Sequence, residues 1–288
     1  MNCVLLEDCF CALQQNRKGF LTLPLDAAQA LSFRFLEFCV FVAASTHCFP
    51  DVTIDKSLRK LAELEYSASE IVIGNGANDL RPEWLVQDFQ AVCRLCVSCR
   101  QISPAAFFID LPTDDPHYLP KFNLCLKLSK TLGVVTIVVK ASPVGTPYNE
   151  EFERLSKLVQ LAARYGAIVS LLTEKEAVSG SIDSLTSLCK GIEGLRVALD
   201  PSHFIYGYKT PVDYEPIVSK ASHLRLRDTT EKSFQVKIGQ GVLEYKKLVD
   251  QLNRCGYTKA LCVDLEHLPD VDPDSELRKM RLLVESLL

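Results

Sequence analysis

The sequence alternates short strand-like runs with longer amphipathic segments eight times, and this repeat constrains the fold more than any other feature. The runs are rich in β-branched and aromatic residues and lie at 38–45, 69–74, 105–110, 133–140, 167–173, 195–200, 222–227 and 260–265. Strands separated by helices pair in parallel. Eight such units in about 250 residues match the usual size of a closed (β/α)₈ barrel. We therefore predict the α/β class and a single-domain TIM barrel.

An open, doubly wound sheet is the alternative architecture. It usually has fewer strands, and no G-x-G-x-x-G follows the first strand here. No linker or second core interrupts the pattern, so we expect a barrel at 37–288 and an N-terminal extension at 1–36. The segment 22–38, TLPLDAAQALSFRFLEF, is interpreted as a helix that covers the barrel floor.

The charge and hydropathy of the sequence indicate which classes of binding partner to expect. The formal net charge of −4 implies no broad basic surface, which argues against a nucleic-acid binder. The apolar run 38–44 has the length of a strand, well short of a membrane span. Glu7 and Asp8 precede any Lys or Arg, which is wrong for a secretory signal. We expect a cytoplasmic protein without membrane contact, and the sequence sets no oligomeric state.

Twelve cysteines invite two interpretations. Many lie inside apolar stretches of a large chain, which favours buried thiols in a reducing compartment over disulfides. The spacing of Cys93, Cys96 and Cys99 resembles part of an iron–sulfur motif. No matching fourth cysteine follows, so we favour core thiols over a cluster or a zinc site.

Polar residues near the carboxyl ends of the last strands are the candidate site, because active sites of TIM barrels lie at that end. Asp200 ends the sixth strand, and His203 follows one turn later. Alternation along the seventh strand points His223, Arg225 and Arg227 inward, where polar side chains need partners. We expect Asp200 to lie at its strand end outside the packed layers. The structural alternative is that Asp200 caps a turn and His203 is a surface residue.

Other strand ends add weaker candidates. Asp264 shares a face of the eighth strand with Cys262, and Glu174 extends the face of Leu172 on the fifth. Further polar residues are more typical of turns and rims than of a binding site, namely Asn75, Asp110 and Lys140. The remaining histidines are interpreted as solvated surface residues, namely His47, His117 and His267.

Four motifs occur in one order near the carboxyl end of the chain. They are VALDPSHF at 197–204, HLRLRD at 223–228, IGQGVLEY at 238–245 and GYTKALCVD at 256–264. In these motifs the chain resembles the xylose isomerase-like barrels, over roughly 38–288. That family includes sugar-phosphate isomerases and epimerases, ketose 3-epimerases, inosose dehydratases and endonuclease IV.

The resemblance implies a divalent metal, such as Mn, Zn, Co or Mg, held by Glu, Asp, His and Glu from the fifth to eighth strands. A second His, three residues after the Asp, contacts the metal or the substrate. The metal stabilises an enediolate, and the two Glu move protons between neighbouring sugar carbons. Carried over to this chain, the metal ligands are Asp200, His203 and Asp264, although Asp264 is shorter than the family's Glu. The carry-over is incomplete, because Leu172 and Arg225 stand where the pattern has a carboxylate and an imidazole.

Three functions follow from the resemblance. The first is an isomerase or epimerase of a sugar or sugar phosphate with an eroded metal site, in which Asp264, Asp200 and Glu174 are catalytic. In that reading His203, His223, Arg225 and Arg227 bind the substrate. The second is a non-catalytic sugar- or polyol-binding barrel without metal. The third is a phosphodiesterase similar to endonuclease IV, which needs more histidines than the five present.

The identity of Arg225 suggests how a metal could be replaced. Two carboxylates around an empty site repel each other, and a permanent cation between them relieves that repulsion. We therefore expect the guanidinium of Arg225 to lie between Asp200 and Asp264. The alternative is that Arg225 pairs with a rim carboxylate while His223 or Glu174 completes a metal site.

Overall fold

The computed structural model describes residues 40–288. The predicted extension at 1–36 and the helix interpreted at 22–38 lie outside the described residues, as does the start of the first predicted strand.

Eight parallel strands close into a barrel in sequence order, because β8 pairs with β1. The strands are β1 Phe41–Ser45, β2 Ala68–Gly74, β3 Ser103–Asp110, β4 Thr136–Val139, β5 Ile168–Leu172, β6 Arg196–Leu199, β7 Ala221–Leu226 and β8 Ala260–Val263. The predicted fold class is confirmed, and an open sheet is excluded. Each strand lies within or close to its predicted run.

Helices follow the strands on the outside of the barrel. They are α1 Ile54–Glu63, α2 Pro82–Gln87, α3 Phe89–Cys96, α4 Tyr118–Leu132, α5 Tyr148–Ala163, α6 Ile182–Gly191, α7 Glu215–Val218, α8 Tyr245–Arg254 and α9 Pro273–Glu285. Short 3₁₀ helices occupy Thr46–Cys48, Val178–Gly180 and Pro201–Phe204. No helix within 40–288 has both the length and the apolar character that crossing a bilayer requires.

The barrel interior contains a small apolar layer that is separate from the larger core between strands and helices. Its members are Val72, Phe108, Val138, Leu172 and Ala198. On β7 the predicted alternation is confirmed. Leu224 and Leu226 join the outer core, whereas His223 and Arg225 are buried and contact Glu70 of β2 inside the barrel.

The loop after β7 is anchored by Asp228. Its carboxylate accepts hydrogen bonds from the backbone N–H of Gly239 at 2.7 Å and of Gly241 at 2.9 Å. A Cβ atom on Gly241 would overlap Oδ1 of Asp228 and lie 2.7 Å from the backbone nitrogen of Thr229. The G-x-G motif therefore has a structural reason, since the chain wraps closely around one buried carboxylate.

The eight cysteines in the described part of the chain are all free. Cys93, Cys96 and Cys99 are buried near α3, and burial raises the pKa of Cys96 to about 12. Free, buried thiols on and just after a helix that packs into the core agree with the core-thiol interpretation.

Candidate functional site

Arg225 is buried inside the barrel between two carboxylates from different strands. Its guanidinium binds both carboxylate oxygens of Glu70 on β2, and its Nη1 lies 3.2 Å from Oδ2 of Asp264 after β8. The same group lies 4.0 Å from the ring centroid of Phe108. The side chain is 5% exposed, so the cation is held by ion pairs and an aromatic face rather than by water.

Arg227, two residues further along the chain, is the cation between Asp200 and Asp264. Its Nη2 lies 2.7 Å from Oδ2 of Asp264 and 3.2 Å from Oδ2 of Asp200. Arg225 pairs with Asp264 as expected, but the expectation that it also pairs with Asp200 is wrong. Alternation turns both arginines inward, but Arg225 lies deeper in the barrel, where Glu70 is available. The repulsion between the two aspartates is therefore relieved by the arginine nearer the strand ends.

Glu70 is the site residue that the sequence reasoning missed. It is fully buried in β2, and one of its oxygens lies 2.9 Å from Nε2 of His223. Burial alone would raise the pKa of Glu70, but Arg225 and His223 outweigh it and lower that pKa to about 2. A signal was present in the sequence, because Glu is almost never buried unless it is paired. Glu70 and Val72 are two residues apart on β2, so both side chains point into the barrel.

His47, interpreted as a surface residue, contacts the cluster. Its Nδ1 lies 3.1 Å from Oδ1 of Asp264, although the imidazole is 48% exposed. The hydrogen bond to Asp264 is the main reason why the pKa of His47 is raised. For Asp264, burial would raise its pKa, but Arg225 and Arg227 hold it well below its usual range. Asp264 therefore stays ionised, with three donors around it.

Asp200 directly follows β6 at its carboxyl end, as expected, and it is buried with structural partners. It is 1% exposed, and its carboxylate accepts hydrogen bonds from the backbone N–H of Ser202, at 3.0 Å, and from the Ser202 hydroxyl. It thereby caps the 3₁₀ helix Pro201–Phe204. His203 does not close on it, since its Nε2 lies 3.9 Å from the carboxylate and its Nδ1 accepts a hydrogen bond from the backbone N–H of Lys175.

Glu174 lies apart from the arginine cluster and faces a cleft of about 890 Å³ beyond the ends of β2–β5. Burial is the main cause of the raised pKa of Glu174, which Lys140 partly offsets. Lys140 and Asp110 form an ion pair at 2.7 Å on the cleft wall. Asn75 also lines this cleft, so all three residues interpreted as rim positions border one cavity.

The residues expected to bind metal do not fit a divalent cation. Arg227 fills the space between Asp200 and Asp264, and Asp264 accepts from three donors. Leu172 is 3% exposed within the apolar layer, where the family pattern has a carboxylate. A dication here would have to displace a guanidinium that is already paired with both carboxylates.

A second group of metal-type ligands lies deeper in the barrel. Glu70, His223 and Cys262 are buried, and their ligand atoms lie within 4.8 Å of one another. Both oxygens of Glu70 are already bound by Arg225. The guanidinium of Arg225 therefore already pairs with this triad, and it would repel an added metal ion.

The eight parallel strands close into a barrel, and polar side chains gather at their carboxyl ends. This arrangement places the protein in the TIM-barrel class. The sequence matches the family model described as xylose isomerase-like TIM barrel over residues 58–283, and the chain belongs to that family. No curated protein matches the sequence.

Solved structures with the same fold include metal-bound proteins and an epimerase. A xylose isomerase-like protein from Mycobacterium smegmatis in complex with magnesium has a TM-score of 0.68 at 13% identity, covering 86% of this chain and 98% of that one. The IOLI protein with a bound zinc atom has a TM-score of 0.67 at 15% identity, covering 86% and 99%. A 3-keto-D-glucoside 4-epimerase from E. coli has a TM-score of 0.65 at 14% identity, covering 86% and 98%. At these identities the likeness establishes the fold.

Proposed function

We propose that this protein binds a sugar or polyol at the carboxyl end of the barrel without a divalent metal, and that turnover through an enediolate is weak or absent. One observation carries the proposal, namely the guanidinium of Arg227 between Asp200 and Asp264. Those two carboxylates correspond to metal ligands in the family pattern, and here a permanent cation is shared between them.

The arginines do not replace the chemical work of a metal. A metal with an open coordination position polarises a substrate carbonyl and the neighbouring hydroxyl. Arg225 and Arg227 are each 5% exposed and already bound to carboxylates, so little of either cation is left for a ligand. Their role in the proposal is to hold the strand ends together electrostatically while the ligand binds beside them.

Isomerase or epimerase activity is the second candidate, and the position of Glu174 favours it. This carboxylate faces the large cleft with a raised pKa, which is suited to taking up and returning a proton. Leu172 supplies no second base on β5, so the proposal expects this activity to be weak.

The experiment compares ligand binding with proton exchange. Purified protein is treated with EDTA, desalted and titrated calorimetrically with a panel of monosaccharides and polyols. Each bound ligand is then incubated in D₂O and examined by NMR for deuterium at carbon. We expect binding that EDTA does not change and no incorporation of deuterium. Binding that needs added Mn, Zn, Co or Mg would contradict the proposal, and rapid incorporation would establish the isomerase candidate instead.

A further inference from the structure

The loop between β7 and α8 covers the polar cluster at the carboxyl ends of β6–β8. Gln235 binds the backbone of Glu266 twice, accepting from its N–H and donating to its carbonyl, both at 2.7 Å. This double contact places the neighbouring Phe234 over the polar cluster. The ring centroid of Phe234 lies 4.5 Å from the guanidinium carbon of Arg227 and 4.8 Å from the imidazole centroid of His203. An aromatic ring therefore covers the arginine that sits between the two aspartates.

The other half of the barrel end is open. The cleft of about 890 Å³ is lined by residues that follow β2, β3, β4 and β5. That volume is typical of small-molecule sites, which span roughly 300–1,000 Å³. Phe234 covers the polar cluster on the β6–β8 side, whereas this cleft has room for a ligand of sugar size.

The cleft carries an excess of negative charge. Four of its carboxylates form no salt bridge with any residue in 40–288, namely Asp114, Glu150, Glu174 and Glu176. The two basic residues of the lining are already engaged. Lys140 pairs with Asp110 at 2.7 Å, and Arg154 pairs with Glu151 at 2.7 Å. The wall therefore offers a ligand several free carboxylates and no uncommitted cation.

Glu174 differs from the other three carboxylates in its burial. Three of the four carboxylates are exposed to solvent, whereas Glu174 is half-buried at the inner end of the cleft. Its side-chain oxygens accept no hydrogen bond from the described residues, although its backbone N–H is bound by Ser179. A carboxylate that is partly removed from water without a partner is costly. A ligand ammonium group would supply the missing charge and up to three donors.

We infer that the ligand of the β2–β5 cleft is a polyol that carries a protonated amine, such as an amino sugar or aminocyclitol, and that sugar phosphates are excluded. The inference rests on the proposed function, because it names the chemical class of the ligand that the metal-free barrel binds. The excess of carboxylates repels phosphate for the same reason that it attracts an ammonium group.

Matched sugar sets test the inference. Glucosamine, galactosamine and mannosamine are titrated calorimetrically beside their neutral parents and the 6-phosphates of those parents. We expect at least one amine to bind about tenfold or more tightly than its parent. The difference should shrink with added salt, and the phosphates should not bind. Equal affinity for amine and parent, or tighter binding of a phosphate, would overturn the inference and leave polyol binding intact. Absence of binding by every neutral and amino sugar would remove the proposed function itself.

Two nearly isosteric variants locate the binding site. Glu174→Gln and Glu176→Gln should each weaken amine binding several-fold, up to about tenfold, and should weaken it more than they weaken binding of the neutral parent. Glu153→Gln is the matched control, since Glu153 lies on α5 with its side chain 71% exposed and pairs with Lys157. Melting temperatures report whether each variant is folded. A folded Glu174→Gln variant with native amine affinity would overturn the assignment of the cleft.

Discussion

The arginines of β7 are stable in the barrel because each has at least two carboxylates within reach. Arg225 is shared by Glu70 and Asp264, and Arg227 is shared by Asp200 and Asp264. Removing one partner of a buried pair leaves an uncompensated charge, which costs far more than the pair itself contributes. The cluster therefore acts as one unit, and a change to any member is felt by the others.

The Glu70–Arg225 pair predicts a dependence of stability on pH. Because the pKa of Glu70 is lowered to about 2 from an ordinary 4.5, the folded state releases this proton more readily than the unfolded state. The resulting stabilisation is fully present above about pH 4.5 and is lost as the pH falls toward about 2. In Glu70→Gln, we expect a lower free energy of unfolding at pH 7. Between about pH 2 and about pH 4.5, the free energy of unfolding should also change less steeply with pH, by up to about 1.4 kcal/mol per pH unit.

Urea denaturation at a series of pH values measures that slope. Glu63→Gln is a suitable control, because Glu63 is exposed on α1 and forms no salt bridge with the described residues. An unchanged pH dependence in Glu70→Gln would contradict the ion pair.

The backbone at Gly241 lies so close to Asp228 that adding one carbon atom should lower stability. In Gly241→Ala the added Cβ would overlap Asp228 and force the β7–α8 loop away from the carboxylate that anchors it. We expect a loss of about 2–3 kcal/mol in the free energy of unfolding. Gly145→Ala separates crowding from backbone strain. Gly145 has φ +95° and open space around it, so its cost should be near 1 kcal/mol. Equal losses in the two variants would show that crowding is not the cause.

At the scale of elements, α5 is tied to the end of β4 by one buried carboxylate. Glu151 accepts from the backbone N–H of Ser142 at 3.1 Å, from the Ser142 hydroxyl at 2.6 Å and from Arg154. Arg154 in turn donates to the carbonyl of Lys140 at 2.9 Å. The helix thereby fixes the backbone of Lys140, whose side chain stands on the wall of the cleft.

We expect Glu151→Gln to lower the free energy of unfolding by about 2 kcal/mol, because the variant leaves a buried guanidinium without its carboxylate. Thermal and urea denaturation measure the loss. Glu153 lies on the same helix with an exposed side chain, so Glu153→Gln should change the free energy of unfolding by less than about 0.5 kcal/mol. A loss of similar size in both variants would mean that the buried network does not hold the helix.

Element existence was predictable from the sequence, and element ends were less so. The repeat predicts one amphipathic segment between the second and third strands, whereas the structure has two helices there, α2 and α3. Asp88 ends α2 with φ −151° and caps α3 through the backbone N–H of Ala91. β4 begins three residues later than its predicted run, because Gly133 closes α4 in the left-handed conformation. Hydrophobic periodicity reports which segments are buried, and capping geometry decides where they end.

At the scale of the whole molecule, the barrel closes within the described residues. β1 begins at Phe41 and pairs with both β2 and β8. We propose that residues 1–36 form an extension that closure does not need. A variant that lacks them should remain soluble and show the circular dichroism and cooperative unfolding of the full chain. Recovery of that variant only as aggregate would show that the extension is part of the folded unit.

The polar cluster also shows the limit of prediction from one sequence. His223, Arg225 and Arg227 were recognised as inward-facing from the alternation of one strand, which is a local property. The partner Glu70 lies 155 residues from Arg225 in sequence and reaches it across the barrel. Which arginine faces which carboxylate depends on depth in the barrel, and that depth follows from strand register.

Metal content tests the central claim most directly. The full chain is purified without chelators, incubated in turn with Mn, Zn, Co and Mg, desalted, and analysed by inductively coupled plasma mass spectrometry. Asp264→Asn is treated in parallel. Because Arg225 and Arg227 already neutralise Asp264, the account predicts well under one equivalent of any metal in both proteins. About one tightly held equivalent in the native chain, lost in Asp264→Asn, would contradict it.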